Sequence, residues 1–178
     1  LKSLNEALEA SPCKWQSQPH PVQTVAPDGF RSRIPFFSPA VEQQVFRILD
    51  FINAIEAEDL RDLFRVAFGS VMVRFSNYTY EPSLSTRPGA GKPLIENEDA
   101  VAVLVEKLRQ MTRDIEWAQA QVRPPSPVSP SHRVFNANFM TAAETHLADL
   151  PVDLMITSPP YMNNYHYVRN TRPQLYWL

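Results

Sequence analysis

Residues 152–161, Val152-Asp153-Leu154-Met155-Ile156-Thr157-Ser158-Pro159-Pro160-Tyr161, run from an apolar segment into two consecutive prolines. Such an apolar run predicts a strand buried on both faces of a parallel sheet. The prolines end it, because a residue without an N–H cannot continue a central strand. In open α/β sheets ligands bind just past the carboxyl ends of strands. Thr157–Tyr161 therefore occupies the position of a ligand site. Upstream, Arg133-Val134-Phe135-Asn136 predicts a short strand. Thr141-Ala142-Ala143-Glu144 matches a capping box that opens a short helix, and Pro151 stops that helix. The expected class is α/β, with part of a parallel sheet over residues 133–178.

The chain before this segment reads differently. Residues 1–10 resemble the tail of a helix, and residues 11–37 an irregular wrapping segment. Ser38-Pro39 has the form of a helix start, with Ser as N-cap and Pro at the first helical position. Val41, Val45, Ile48, Leu49, Ile52 and Ile55 then mark an amphipathic helix near 39–56. Leu60, Leu63, Phe64, Ala67, Phe68, Val71 and Phe75 mark a second near 60–75. Residues 76–93 read as a polar loop. A third helix is expected near 98–121, capped by Asn97, with Glu98 and Asp99 at its positive end. Residues 1–122 thus form a mainly helical segment. Residues 123–132 follow as a stiff, proline-rich linker.

Composition narrows the function. There are 17 prolines and four glycines, against average usage of about 5% and 7%. No glycine follows Gly91, and neither G-x-G-x-x-G nor G-x-x-x-x-G-K-[ST] occurs. The net charge is −2, so no global basic field advertises nucleic-acid binding and any such contact must be a local patch. The single cysteine, Cys13, excludes an internal disulfide and a cysteine-rich zinc site, and no metal site is expected. No apolar run approaches the ~20 residues that span a membrane. The chain opens on Leu1 without a signal-peptide pattern, and is expected to be an internal piece or a processed product.

The run Val152–Tyr161 resembles the catalytic segment of the DNA amino-methyltransferases. In that family a hydrophobic strand leads into Asp/Asn/Ser-Pro-Pro-aromatic. The Thr157-Ser158 form looks most like the members that methylate N4 of cytosine, ahead of those acting on N6 of adenine. Met162–Asn170, with its Val168-Arg169-Asn170 run, also resembles one branch of the family. The resemblance covers residues 133–178 and implies a partial Rossmann-like methyltransferase sheet. It implies methyl transfer from S-adenosylmethionine to the exocyclic amine of a base flipped out of DNA. It further implies a cytoplasmic protein, prokaryotic or phage-encoded, with restriction or defence-system proteins as possible partners.

The chemistry gives these residue types a purpose. An exocyclic amine is a poor nucleophile because its lone pair is delocalised into the ring. Accepting hydrogen bonds from its NH2 frees that lone pair. Ser158 offers a hydroxyl oxygen and Pro159 a carbonyl. Pro159 and Pro160 hold the acceptors in place before substrate arrives, since φ is locked near −65°. Tyr161 is placed to stack on the flipped base. Thr157 and Asn136 are the cofactor-side candidates, Asn136 equally serving as a turn residue. Asn163, Tyr165 and Arg169 are nucleic-acid candidates, and Arg169 with Arg172 offers charge to phosphate or to a structural ion pair. Arg87 and Lys92, near Tyr78 and Tyr80, either touch DNA backbone or belong to a solvated loop.

One family element has no counterpart in the chain. The cofactor loop, aromatic-x-Gly-x-Gly after a strand, is absent, and Gly89-Ala90-Gly91 follows no expected strand. The chain therefore reads as a fragment of such an enzyme, inactive by itself. Two alternatives remain: an amino-methyltransferase acting on RNA, and a non-catalytic helical interaction module that keeps a degenerate methyltransferase strand.

Overall fold

The computed structural model describes residues 21–81, 83–121 and 167–178, with isolated positions at 137, 138, 141, 153, 154 and 156. Helices and a small antiparallel sheet are mixed in the order α1 (Pro39–Asn53), α2 (Glu58–Val71), β1 (Tyr78–Tyr80), β2 (Leu84–Thr86), α3 (Ala100–Gln121) and α4 (Tyr167–Trp177). A short 3-10 turn, Pro88–Ala90, follows β2. Described residues 21–119 and 167–178 belong to one compact unit, and those described between 120 and 156 to another.

Local chemistry sets the helix ends. Ser38 caps α1: its hydroxyl accepts from the Val41 N–H and donates to the Glu96 carbonyl. The apolar stripe continues to Ile55, but α1 ends at Asn53, where the Ala54 N–H closes the last turn. α2 starts on Glu58 and Asp59, whose charges suit the positive helix end. α3 differs from expectation. Its cap is Asp99, whose carboxylate accepts from the Ala102 N–H at 2.9 Å, and not Asn97. Gln44 on α1 completes that end, accepting from the Ala100 N–H and donating to the Glu98 carbonyl. The residue nearest the first turn with a carboxylate in reach wins the cap.

Residues 76–93 are not simply a polar loop. Tyr78, Thr79 and Tyr80 pair with Thr86, Ser85 and Leu84 in an antiparallel ladder. Each strand has three residues, too short for alternation to register, and a lone two-stranded hairpin is marginal in water. Tertiary contacts supply the difference. Buried Asn77 donates its side-chain amide to the Pro35 carbonyl and accepts from the Ile95 N–H. Its backbone bonds Phe36 and Arg87. The Tyr78 ring lies 5.2 Å from Phe36.

The core lies between α1, α2, α3 and the aromatic residues flanking them. Val41, Val45, Ile48, Ile52, Phe64, Phe68, Phe75, Met72, Leu104 and Leu108 are fully buried. α4 joins this core, although its sequence reads as part of the α/β segment. Trp177 is buried against Phe37, with ring centroids 4.9 Å apart, and Pro173 is fully buried. Buried Asn170 accepts from the Leu84 N–H at 3.0 Å, and its carbonyl accepts from the Tyr80 hydroxyl at 2.8 Å. Gln174 donates to the Gly69 carbonyl.

The expectation of a strand buried on both faces at 152–157 is not met where the structure describes that segment. Leu154 is 75% exposed and Ile156 89% exposed, and neither is in a strand. A parallel strand satisfies its backbone only through neighbours on both sides. The sheet among the described residues has just two strands, β1 and β2. Upstream, the Thr141 N–H and hydroxyl both donate to the Asn138 carbonyl. The rest of that capping box lies outside the described residues. No helix among the described residues is long and apolar enough to cross a membrane.

Candidate functional site

Ser158, Pro159, Pro160 and Tyr161 lie outside the described residues, as do Asn136, Thr157, Asn163 and Tyr165. Arg169, Arg87 and Lys92 are described, and they separate. Lys92 is ion-paired with Glu81. The Arg87 Nε–H donates to the Pro93 carbonyl at 2.7 Å. Arg169, in contrast, lines an open groove with a cavity volume of about 470 Å³.

Tyr78 of β1 and three further stretches of chain build this groove. The first is residues 30–36. A turn at Pro27–Phe30 leads into it, with Gly29 at φ +78°, a conformation an L side chain resists. Phe30 then packs edge-on to Phe36 at 5.3 Å and against Tyr176 at 5.5 Å. The Arg33 N–H donates to the Tyr78 hydroxyl, and the Ser32 hydroxyl to the Ile34 carbonyl. These bonds fix the backbone that carries Arg31 and Arg33, both exposed. The second stretch is β2 with the turn after it, contributing Leu84, Ser85, Thr86 and Gly89. The third is α4, where Arg169 and Arg172, three residues apart, share a face.

Charge here is one-sided. Arg31, Arg33, Arg169 and Arg172 all line the groove, and no lining residue among those described is acidic. The ion pairs among the described residues are Arg65–Asp62 and Lys92–Glu81, so none of the four guanidinium groups has a carboxylate partner there. Arg172 is held over the Phe30 ring at 5.9 Å and the Tyr176 ring at 5.6 Å. The Ser85 hydroxyl oxygen is buried without a hydrogen-bond partner.

Sequence reading found Arg169 and Arg172 but not Arg31, Arg33 or Ser85. The Arg31-Ser32-Arg33 triplet is visible as a short basic run in a sparsely charged segment, a weak signal alone. Gly89-Ala90-Gly91 does follow a strand, β2, yet it forms a 3-10 turn closed by Gly91 at φ +70°. A Cβ at Gly91 would meet nothing within 4 Å, while one at Gly89 would meet Thr86 Oγ1 at 2.9 Å. These glycines shape the turn that follows β2, and Gly89 reaches the groove lining. No cluster of three or more metal-ligating side chains occurs among the described residues.

No protein-family model matches the chain, and neither the curated proteins nor the solved structures contain a match.

Proposed function

We propose that the chain is part of an S-adenosylmethionine-dependent DNA amino-methyltransferase, with N4 of cytosine preferred over N6 of adenine. The observation that carries this reading is the passage from an apolar run into Thr157-Ser158-Pro159-Pro160-Tyr161. On this reading the segment from 133 belongs to a Rossmann-like sheet whose remaining strands complete the burial that Leu154 and Ile156 lack here. Ser158 and the Pro159 carbonyl accept hydrogen bonds from the base NH2. Tyr161 stacks on the flipped base, a contact worth about 1–3 kcal/mol. Asn163, Tyr165 and Arg169 face the nucleic acid. The protein acts in the cytoplasm of a prokaryote, or is phage-encoded, beside restriction or defence proteins.

The methyl donor does not fit the described residues. Gly89–Gly91 forms a 3-10 turn with Gly89 against Thr86 instead of the family's loop, and the chain holds no other closely spaced glycine pair. No step of the transfer is therefore assigned to residues described here. The reading places the donor's loop in another part of the protein, with Asn136 and Thr157 as this chain's contribution.

The test is methylation of DNA by the full-length protein, with Ser158→Ala and Tyr161→Ala beside the parent. Loss of most activity with Ser158→Ala is expected. Tyr161→Ala should weaken substrate binding by about the stacking energy, 1–3 kcal/mol. Full methylation by both variants removes the site assignment. Transfer to RNA but not DNA would replace the substrate, and an inert full-length protein would leave the helical module as its role.

A further inference from the structure

We infer that the arginine-lined groove between residues 30–36, the β1–β2 hairpin and α4 binds the phosphate groups of a nucleotide or nucleic-acid ligand. The inference stands on the groove alone and does not require the methyltransferase reading.

Its first support is charge segregation. The chain has 17 basic and 19 acidic residues, yet the described lining of this groove holds four arginines and no carboxylate. Like charges gathered without a counter-charge repel one another, and a bound anion relieves that repulsion. Arginine matches phosphate because its planar fork donates two parallel N–H bonds to two oxygens. The four guanidinium groups come from two separate stretches of chain, Arg31 and Arg33 on one and Arg169 and Arg172 on the other. That spread suits two or more phosphates better than one.

The second support is preorganisation. Cation–π contacts with Phe30 and Tyr176 restrain Arg172, so binding need not order that side chain. Hydrogen bonds already fix the backbone under Arg31 and Arg33. A third, independent observation is Ser85. Ser85 lines the groove, and its hydroxyl oxygen lies just beneath the surface without a hydrogen-bond partner, a deficit that calls for an explanation. A turn of the Ser85 side chain toward the groove would let a phosphate oxygen accept its hydroxyl proton and remove the deficit. Phe30 and Phe36 give the groove an apolar wall beside the charges, as a base next to its phosphate requires. Phosphates of this kind come from a nucleic-acid strand or from a free nucleoside triphosphate.

The experiment measures fluorescence anisotropy of two labelled probes with the full chain: a single strand of about 12 nucleotides, and ATP. The groove variant is Arg31→Gln with Arg169→Gln. The control is Arg109→Gln with Arg113→Gln, which removes equal charge from exposed positions on α3. All four arginines are exposed, so both variants should melt like the parent by circular dichroism. We expect the groove variant to bind at least about tenfold more weakly, with the control within about twofold. For the strand, the slope of log K against log salt should fall by about 0.7 per lost phosphate contact. Ser85→Ala, which leaves every arginine in place, should also weaken binding. The probe that binds identifies the source of the phosphates. Equal weakening by groove and control variants overturns the inference, as does the absence of binding by both probes.

Discussion

Replacing Trp177 by alanine tests whether α4 belongs to the helical core. The indole is 7% exposed, with ring centroids 4.9, 6.1 and 6.3 Å from Phe37, Phe46 and Phe30. Burying a tryptophan removes about 200 Å² from water, worth ~5 kcal/mol at about 25 cal/mol per Å². The indole Nε1 is buried without a partner, and a stranded donor costs about 1–3 kcal/mol. The net loss for Trp177→Ala is then about 3 kcal/mol, at the low end of the usual range for such truncations. Urea unfolding followed by far-ultraviolet circular dichroism reads it directly. With a slope of about 2 kcal/mol per molar, the midpoint falls by roughly 1.5 M. Trp177→Phe keeps a ring and removes the stranded N–H, so it should cost less than half as much. Leu175→Ala, at a site 75% exposed on the same helix, should stay within about 0.5 kcal/mol. A Trp177→Ala midpoint no lower than that of Leu175→Ala would refute the placement of α4 in the core.

Two other outcomes follow from the same structure. Asp50 accepts from the Gln23 N–H, the Thr24 N–H and the Thr24 hydroxyl at 2.9, 2.8 and 2.6 Å, so Asp50→Ala should cost about 2 kcal/mol after allowance for exposure. Faster hydrogen exchange at the Gln23 and Thr24 amides would accompany it, and unchanged exchange would show that this staple does not hold residues 21–24. Gly69 lies inside α2, where alanine is favoured by about 0.8–1 kcal/mol. The added Cβ would meet Leu178 Cδ1 at 2.8 Å, but that atom is the far end of a 46% exposed side chain. Gly69→Ala should therefore be neutral to mildly stabilising in thermal melting. A loss beyond about 1 kcal/mol would mean Leu178 cannot move aside.

The start of α1 was legible because Ser38-Pro39 satisfies helix-end chemistry within a few residues, and that chemistry does not depend on the rest of the fold. The end of α3 nearest to it was less so. Asn97 and Asp99 are both good caps, and the choice between them depends on where Gln44 of α1 meets the chain. The β1–β2 hairpin was illegible for a sharper reason. Its three-residue strands carry no periodic signal, and Asn77, Asn170 and the Tyr78 ring hold it from elsewhere in the sequence. Of the candidate site, Arg169 and Arg172 stood out as charges in and just after the Val168-Arg169-Asn170 run. Arg31, Arg33 and Ser85 did not, since only folding sets them beside α4. The Thr157–Tyr161 segment is the reverse case: its resemblance is carried by consecutive residues, and these lie outside those the structure describes.

By itself the sequence determined the amphipathic helices, the lack of a glycine-rich loop, and the acceptor-bearing Ser158-Pro159-Pro160-Tyr161 run. Each rests on residues close together in the chain, where propensity, capping and locked φ angles act locally. Only the tertiary structure decided that α4 completes the helical core and that arginines from two distant stretches share a groove with Ser85. Burial and charge clustering depend on distance in space, and that distance is set by the packing of the whole unit.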